Sequence, residues 1–190
     1  MLNLSDVVEF ISGSPQFRIT EVFDANAPLY TYYGQPDLAD DLVGMKTNTD
    51  NKQVRTYDKV NTLYTDDVIF SLISGDSTIV SKEREGYLYT QNYVKLIPNE
   101  NIDPMYLVYL LNENQLIKKQ FLMGLQGSQV LKYTLKQVKE LKLPDCPSIE
   151  KQKKIGELYF NQLRLQALRT RVARFETTIL LAKLKEASKT

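Results

Sequence analysis

Residues 148–185, SIEKQKKIGELYFNQLRLQALRTRVARFETTILLAKLK, contain no proline and a single glycine, Gly156. Leu158, Leu165, Val172 and Ile179 recur every seven residues, and Asn161, Leu168, Phe175 and Ala182 repeat that step three residues on. The pattern is an a/d heptad seam, with Asn161 as its one polar member. The spacing predicts a helix of about 55 Å, longer than a body of ordinary domain size can cover. The seam therefore needs a partner, either another chain or a second copy of this one, and Asn161 is the residue expected to fix register or strand number.

Pro144 and Pro147, just upstream, mark the one clear internal boundary, so the chain divides into residues 1–146 and 147–190. The charge divides nearly there too. Residues 151–190 carry 10 Lys or Arg against 3 Asp or Glu, a balance of +7 in a chain whose net charge is +1, which leaves −6 on residues 1–150. The basic half suits phosphate or an acidic protein surface.

The 190-residue body-plus-helix has 43% hydrophobic residues, enough to bury a core. No apolar run reaches the roughly 18 to 20 residues of a membrane span, and MLNLSDVVEF begins with acids where a signal peptide carries lysines, so a cytoplasmic protein is expected. The absence of His removes Ser-His-Asp triads, Cys-His dyads and HExxH zinc sites. Cys146, the single cysteine, sits in LPDCPS without a basic neighbour and reads as structural. Neither a cofactor nor a metal is expected.

Within the body, Ser5 reads as the cap of a short helix through Val7, Val8 and Phe10 to Ile11. Residues 28–33 (PLYTYY), 67–73 (DVIFSLI), 77–80 (STIV) and 92–97 (NYVKLI) read as short strands, with Gly75-Asp76 as a hairpin turn. They lie too close together for βαβ crossovers, which predicts a largely antiparallel or mixed sheet. Asp103-Pro104 opens a helical pair, 105–112 and 116–123, and Thr134 with Gln137 forms a capping box. The fold class is α+β: a mixed-sheet domain followed by a long C-terminal coiled-coil helix.

Two motifs have the look of chemistry. Asp103-Pro104-Met105-Tyr106 is one letter from the D-P-P-Y loop of amino-methyltransferases, but no F-x-G-x-G element accompanies it and a helix start explains it. Pro36-Asp37 with Asp50-Asn51-Lys52 matches the P-D…D-x-K pattern of Mg²⁺-dependent nucleases, although its second half lies in a polar, loop-like stretch. The chain also has 12 Tyr, several beside amides and bases, a composition that permits DNA readout.

The stretch 125–157, LQGSQVLKYTLKQVKELKLPDCPSIEKQKKIGE, resembles the specificity subunits of Type I restriction-modification systems. Gly127-Ser128 stands for the family's small G-S/T element and Leu141 to Pro144 for its "l-x-l-P" strand. Pro147 to Ile155 resembles its P-x-x-E-Q-x-x-I helix start, with Lys151 inserted between Glu150 and Gln152. Leu4 to Val8, Ile11 to Pro15, Thr65 to Ser71 and Tyr106 to Leu111 are similar to further family segments.

The resemblance implies a non-catalytic DNA target-recognition domain and one spacer helix. Family chains usually carry two such units, so this one is a half-subunit or part of a longer chain. It also implies double-stranded DNA and methyltransferase subunits as partners, with the restriction and translocation subunit joined through the latter. Two copies paired through Leu158, Asn161, Leu165, Leu168, Val172, Phe175, Ile179 and Ala182 would, if the helices run antiparallel about a two-fold axis, read an interrupted palindrome. Gln126, Ser128, Gln129, Lys132 and Tyr133, around the glycine loop, are the expected DNA contacts, with Arg18, Lys46 and Arg55 as secondary ones. A coiled-coil adaptor that never touches DNA, and a Mg²⁺-dependent nuclease, are the alternatives.

Overall fold

The structure, a computed structural model, describes residues 2–47, 50–125 and 132–188. Its strands are β1 (Val8–Ser12), β2 (Leu29–Thr31), β3 (Gln53–Arg55), β4 (Val68–Ser71), β5 (Ser77–Ile79) and β6 (Tyr93–Pro98). Its helices are α1 (Gln35–Val43), α2 (Pro104–Glu113), α3 (Gln115–Leu125), α4 (Leu135–Lys139) and α5 (Ile149–Ala187). Four strands form an antiparallel sheet in the order β1-β6-β4-β5, while β2 and β3 pair as a separate antiparallel ribbon.

Strand alternation assigns the two faces of the main sheet. Val8, Val68, Phe70, Val94 and Leu96 point into a core closed by α2 and α3, with Leu107, Leu110, Leu111 and Phe121. Ile69, Val80 and Tyr93 point the other way and meet Tyr33, Leu38, Leu63 and Tyr89, the layer that carries α1 and the ribbon. The sheet thus separates a helical side from a ribbon side.

The helix expected from Ser5 does not form. A short 3-10 turn at Leu4–Asp6 gives way to β1, because Val8 and Phe10 face the core and the strand zips along β6 from Val8↔Pro98 to Ser12↔Val94. Its alternation outweighs the Ser5 cap signal. The hairpin at Gly75 is present, with Gly75 at φ +81°. Asp103 accepts a hydrogen bond from Tyr106 N–H and Pro104 is the first helical residue, so the D-P-M-Y stretch is a helix cap. Thr134 and Gln137 cap each other at the start of α4.

α5 joins the body at its first turns. Gln152 is buried and its amide accepts from Asp103 N–H (3.0 Å) while donating to Asn101 O (3.1 Å) and Pro147 O (2.9 Å). Gly156 packs directly on α2, where a Cβ would stand 2.5 Å from Met105 Cβ and 2.8 Å from the Tyr106 nitrogen. Lys151, the inserted residue, is exposed, so the buried Gln152 and half-buried Ile155 keep the spacing that the attachment uses.

Candidate nucleic-acid interface

α1 is a helix whose buried face is acidic. Asp37, Asp40 and Asp41 recur at helical spacing and are all buried. Arg84, from the 3-10 turn Lys82–Arg84, reaches all three, with Nε 3.2 Å from Asp37, Nη2 2.8 Å from Asp40 and Nη1 3.2 Å from Asp41. Tyr33 donates its hydroxyl to Asp41 (2.9 Å), Thr47 N–H and Oγ1–H donate to Asp40, and Asn51 donates to Asp37. One guanidinium serving three carboxylates leaves the cluster short of positive charge. Burial accordingly holds the Asp41 carboxyl above its usual range, against the opposing pull of Ser81, Arg84 and Tyr33. The network pins α1, and the segment that joins the two ribbon strands through it, to the 3-10 turn that follows β5.

Of the nuclease motif, Asp37 and Asn51 are taken up by this network. Asp37 and Asp50 do line one hollow, together with Lys46, Asn51 and Arg84. Asp37 Oδ1 is occupied by Arg84 and Asn51, and its Oδ2 by Gly34 N–H and Asn51, while Lys52 lies over the Tyr32 ring. Among the described residues no group of ligating side chains is placed to hold a metal ion.

The β2–β3 ribbon forms a lobe beside the sheet. In register Leu29↔Arg55 and Thr31↔Gln53, these four side chains share one face, and Tyr30 with buried Val54 shares the other. The segment before β2 runs along the far edge of β3, where Val22 N–H donates to Arg55 O and Thr20 N–H to Asp58.

The expected contact residues fall in separate places. Gln126, Ser128 and Gln129 lie outside the described residues. Lys132 projects to Asn92 (Nζ to Oδ1 2.6 Å) at the end of the main sheet where β6 begins. Tyr133 is half-buried, its ring packed on Phe121 (4.8 Å between centroids) and over Gly75, so it anchors the end of the glycine loop in the core. Arg18, exposed beside Phe17, and Arg55 both belong to the ribbon lobe, where Arg55 Nη1 donates to Ala25 O and Ala27 O. Lys46 lines a groove of about 1000 Å³ between the end of α1 and α5, together with Arg171 and Arg174. Gln53, exposed on the ribbon next to Arg55, was not among the expected contacts. An amide two residues from an arginine in a short extended run was the available signal.

The heptad seam is on the surface. Leu158, Leu165, Leu168, Val172, Phe175 and Ile179 are between 41 and 69% exposed, and Asn161 and Ala182 are exposed with them. Gln152, Gly156, Tyr159, Leu163 and Ala167 face the body. At about 100° per residue the seam lies about 160° around the helix from that line. Beyond Ala167 every described residue of α5 is exposed.

Among solved structures this fold is that of Type I restriction-modification specificity subunits. It matches the HsdS subunit from Thermoanaerobacter tengcongensis at TM-score 0.61 and 20% identity, over 98% of this chain and 42% of that one. It matches a chain solved for the complex assembly and conformational transition of the type I R-M system at TM-score 0.62 and 18% identity, over 98% and 43%. The S subunit from M. genitalium matches at TM-score 0.50 and 18% identity, over 94% and 42%. The chain therefore spans less than half the length of these subunits. No curated protein sequence matches it. The family model for the Type I restriction modification DNA specificity domain matches residues 2–169, and the chain belongs to that family. Among the described residues no helix is long and apolar enough to cross a membrane.

Proposed function

We propose that this chain is a DNA specificity subunit, or one half of one, that reads a single half-site of a bipartite target in the cytoplasm and carries out no catalysis itself. Residues 1–146 are the recognition domain and 147–190 the spacer and pairing helix. Two such helices pair antiparallel, holding two recognition domains apart. The assembly docks methyltransferase subunits and, through them, the restriction and translocation subunit.

The observation that carries this reading is the two-sided helix. One face of α5 is bolted to a body of the DNA specificity family by Gln152 and Gly156, while the opposite face presents a heptad seam that the body leaves uncovered. An exposed a/d seam of this length is stabilised by a second helix.

Light scattering tests the pairing. The wild type is expected near twice its 21.9 kDa chain mass, and Leu165→Glu with Val172→Glu at the chain mass. Both positions are exposed, so the variant's body should keep its urea midpoint. A wild-type monomer at all concentrations would refute the homodimer. Sequence-specific methylation on adding methyltransferase subunits and S-adenosylmethionine tests recognition, and the same methylation without this chain would refute it.

A further inference from the structure

The ribbon face built by β2 and β3 has the geometry of a reading head. A two-stranded β-ribbon fits the major groove, where sequence is read from base edges. Here Val54 and Tyr30 fasten the ribbon inward, and Gln53 with Arg55 stands on the opposite face. Residues two apart on a strand are separated by about 6.8 Å, close to two base-pair steps of about 3.4 Å.

Both side chains are pre-set and partly unspent. Arg55 Nη1 is held by two backbone carbonyls, Ala27 O at 2.7 Å and Ala25 O at 3.1 Å, while its Nε and Nη2 have no hydrogen-bond partner among the described residues. The Gln53 amide makes one long bond, Nε2 to Thr31 Oγ1 at 3.3 Å, leaving its carbonyl and a second N–H without a partner among the described residues. A glutamine with a free donor and acceptor matches adenine N7 and N6, and a guanidinium with two open donors matches guanine O6 and N7.

The surroundings agree. Val22, Phe23 and Leu29 wall a hollow of about 350 Å³ beside the pair, and Phe23 is wholly exposed, an apolar surface of the kind that meets thymine methyls. Arg18, Lys52 and Lys59 flank the ribbon as exposed cations. Of the lobe's acids, exposed Glu21 lines the hollow, whereas Asp24 and Asp58 are tied to local donors: Tyr57 and Asn26 hold the Asp24 carboxyl below its usual range, and Thr20 does the same for Asp58.

We infer that Gln53 and Arg55 are specificity-determining residues of the half-site, each reading one base pair, two steps apart, from the major groove of duplex DNA. This rests on the DNA-recognition reading above and goes beyond it by naming the element that reads.

The test is methylation-site mapping on genomic DNA with the chain assembled on methyltransferase subunits. The wild type should yield one bipartite motif. Gln53→Ala should lose base preference at one position of each half-site by about 5- to 150-fold, and Arg55→Ala at a second position two base pairs away. Since Arg55 also holds the 24–27 turn, Arg55→Lys and the urea midpoint separate misfolding from misreading, while exposed Gln53 carries no such burden. A folded Gln53→Ala protein with the full wild-type motif would overturn the assignment and leave DNA recognition standing. A wild-type assembly with no motif at all would overturn both.

Discussion

Arg84 is the residue on which the ribbon side depends. Its side chain is 6% exposed and meets three carboxylates from one helix. Replacing it with Met removes the charge but leaves the acids buried, which should lower stability by about 3 to 5 kcal/mol in urea unfolding. A loss under 1 kcal/mol would mean that water reaches the acids. Asp41 gives the same cluster a pH signature. Because burial raises its carboxyl in the folded state, the fold favours the protonated form. Its contribution is full below the unfolded value of about 4 and is lost as pH rises through the raised folded value. Asp41→Asn removes that dependence, so the wild type should lose stability relative to the variant as pH rises. Urea midpoints of the pair, compared from acid to neutral pH, check this, and a constant difference would refute it.

At the scale of elements, the contact of α5 with α2 inverts a familiar rule. Gly to Ala inside a helix ordinarily adds about 1 kcal/mol. At Gly156 the new methyl meets α2 backbone, which cannot swing aside, so Gly156→Ala should instead cost about 1 to 3 kcal/mol. Ala in place of exposed Gln166 serves as the control, and an unchanged midpoint at Gly156 would show that the two helices can separate cheaply. The same elements show what was legible beforehand. α5 was readable because its apolar positions follow a local period, and α2 because Asp103 and Pro104 write its start into adjacent residues. α1 was not, since its inward face is acidic: Asp37, Asp40 and Asp41 look like a solvated surface until Arg84 is brought in from more than forty residues away. β3 is three residues long, too short for alternation to register, and with it went Gln53. The seam was read from periodicity, whereas the placing of Arg18 and Arg55 on one lobe came only from the pairing of residues 20–22 with β3 and its following turn.

For the whole molecule, the pairing proposed above would turn the length of α5 into a length of DNA. Beyond Thr178, the last α5 residue to wall the groove against the end of α1, the helix extends past its own body, and in an antiparallel pair that overhang carries the partner's body with it. Body separation is then fixed by how many residues lie along the shared seam. Duplicating one heptad, residues 165–171, preserves the a/d register and lengthens the pair by about 10.5 Å. At about 3.4 Å per base pair that is about three more base pairs between the half-sites. Methylation-site mapping of the duplicated chain should therefore return the wild-type half-sites with a gap widened by about three. The half-sites themselves should not change, because neither Gln53 nor Arg55 moves within its body. An unchanged gap would mean that the separation is set by contacts between the two bodies or by the methyltransferase, and the helix would lose its role as spacer while keeping its role as attachment.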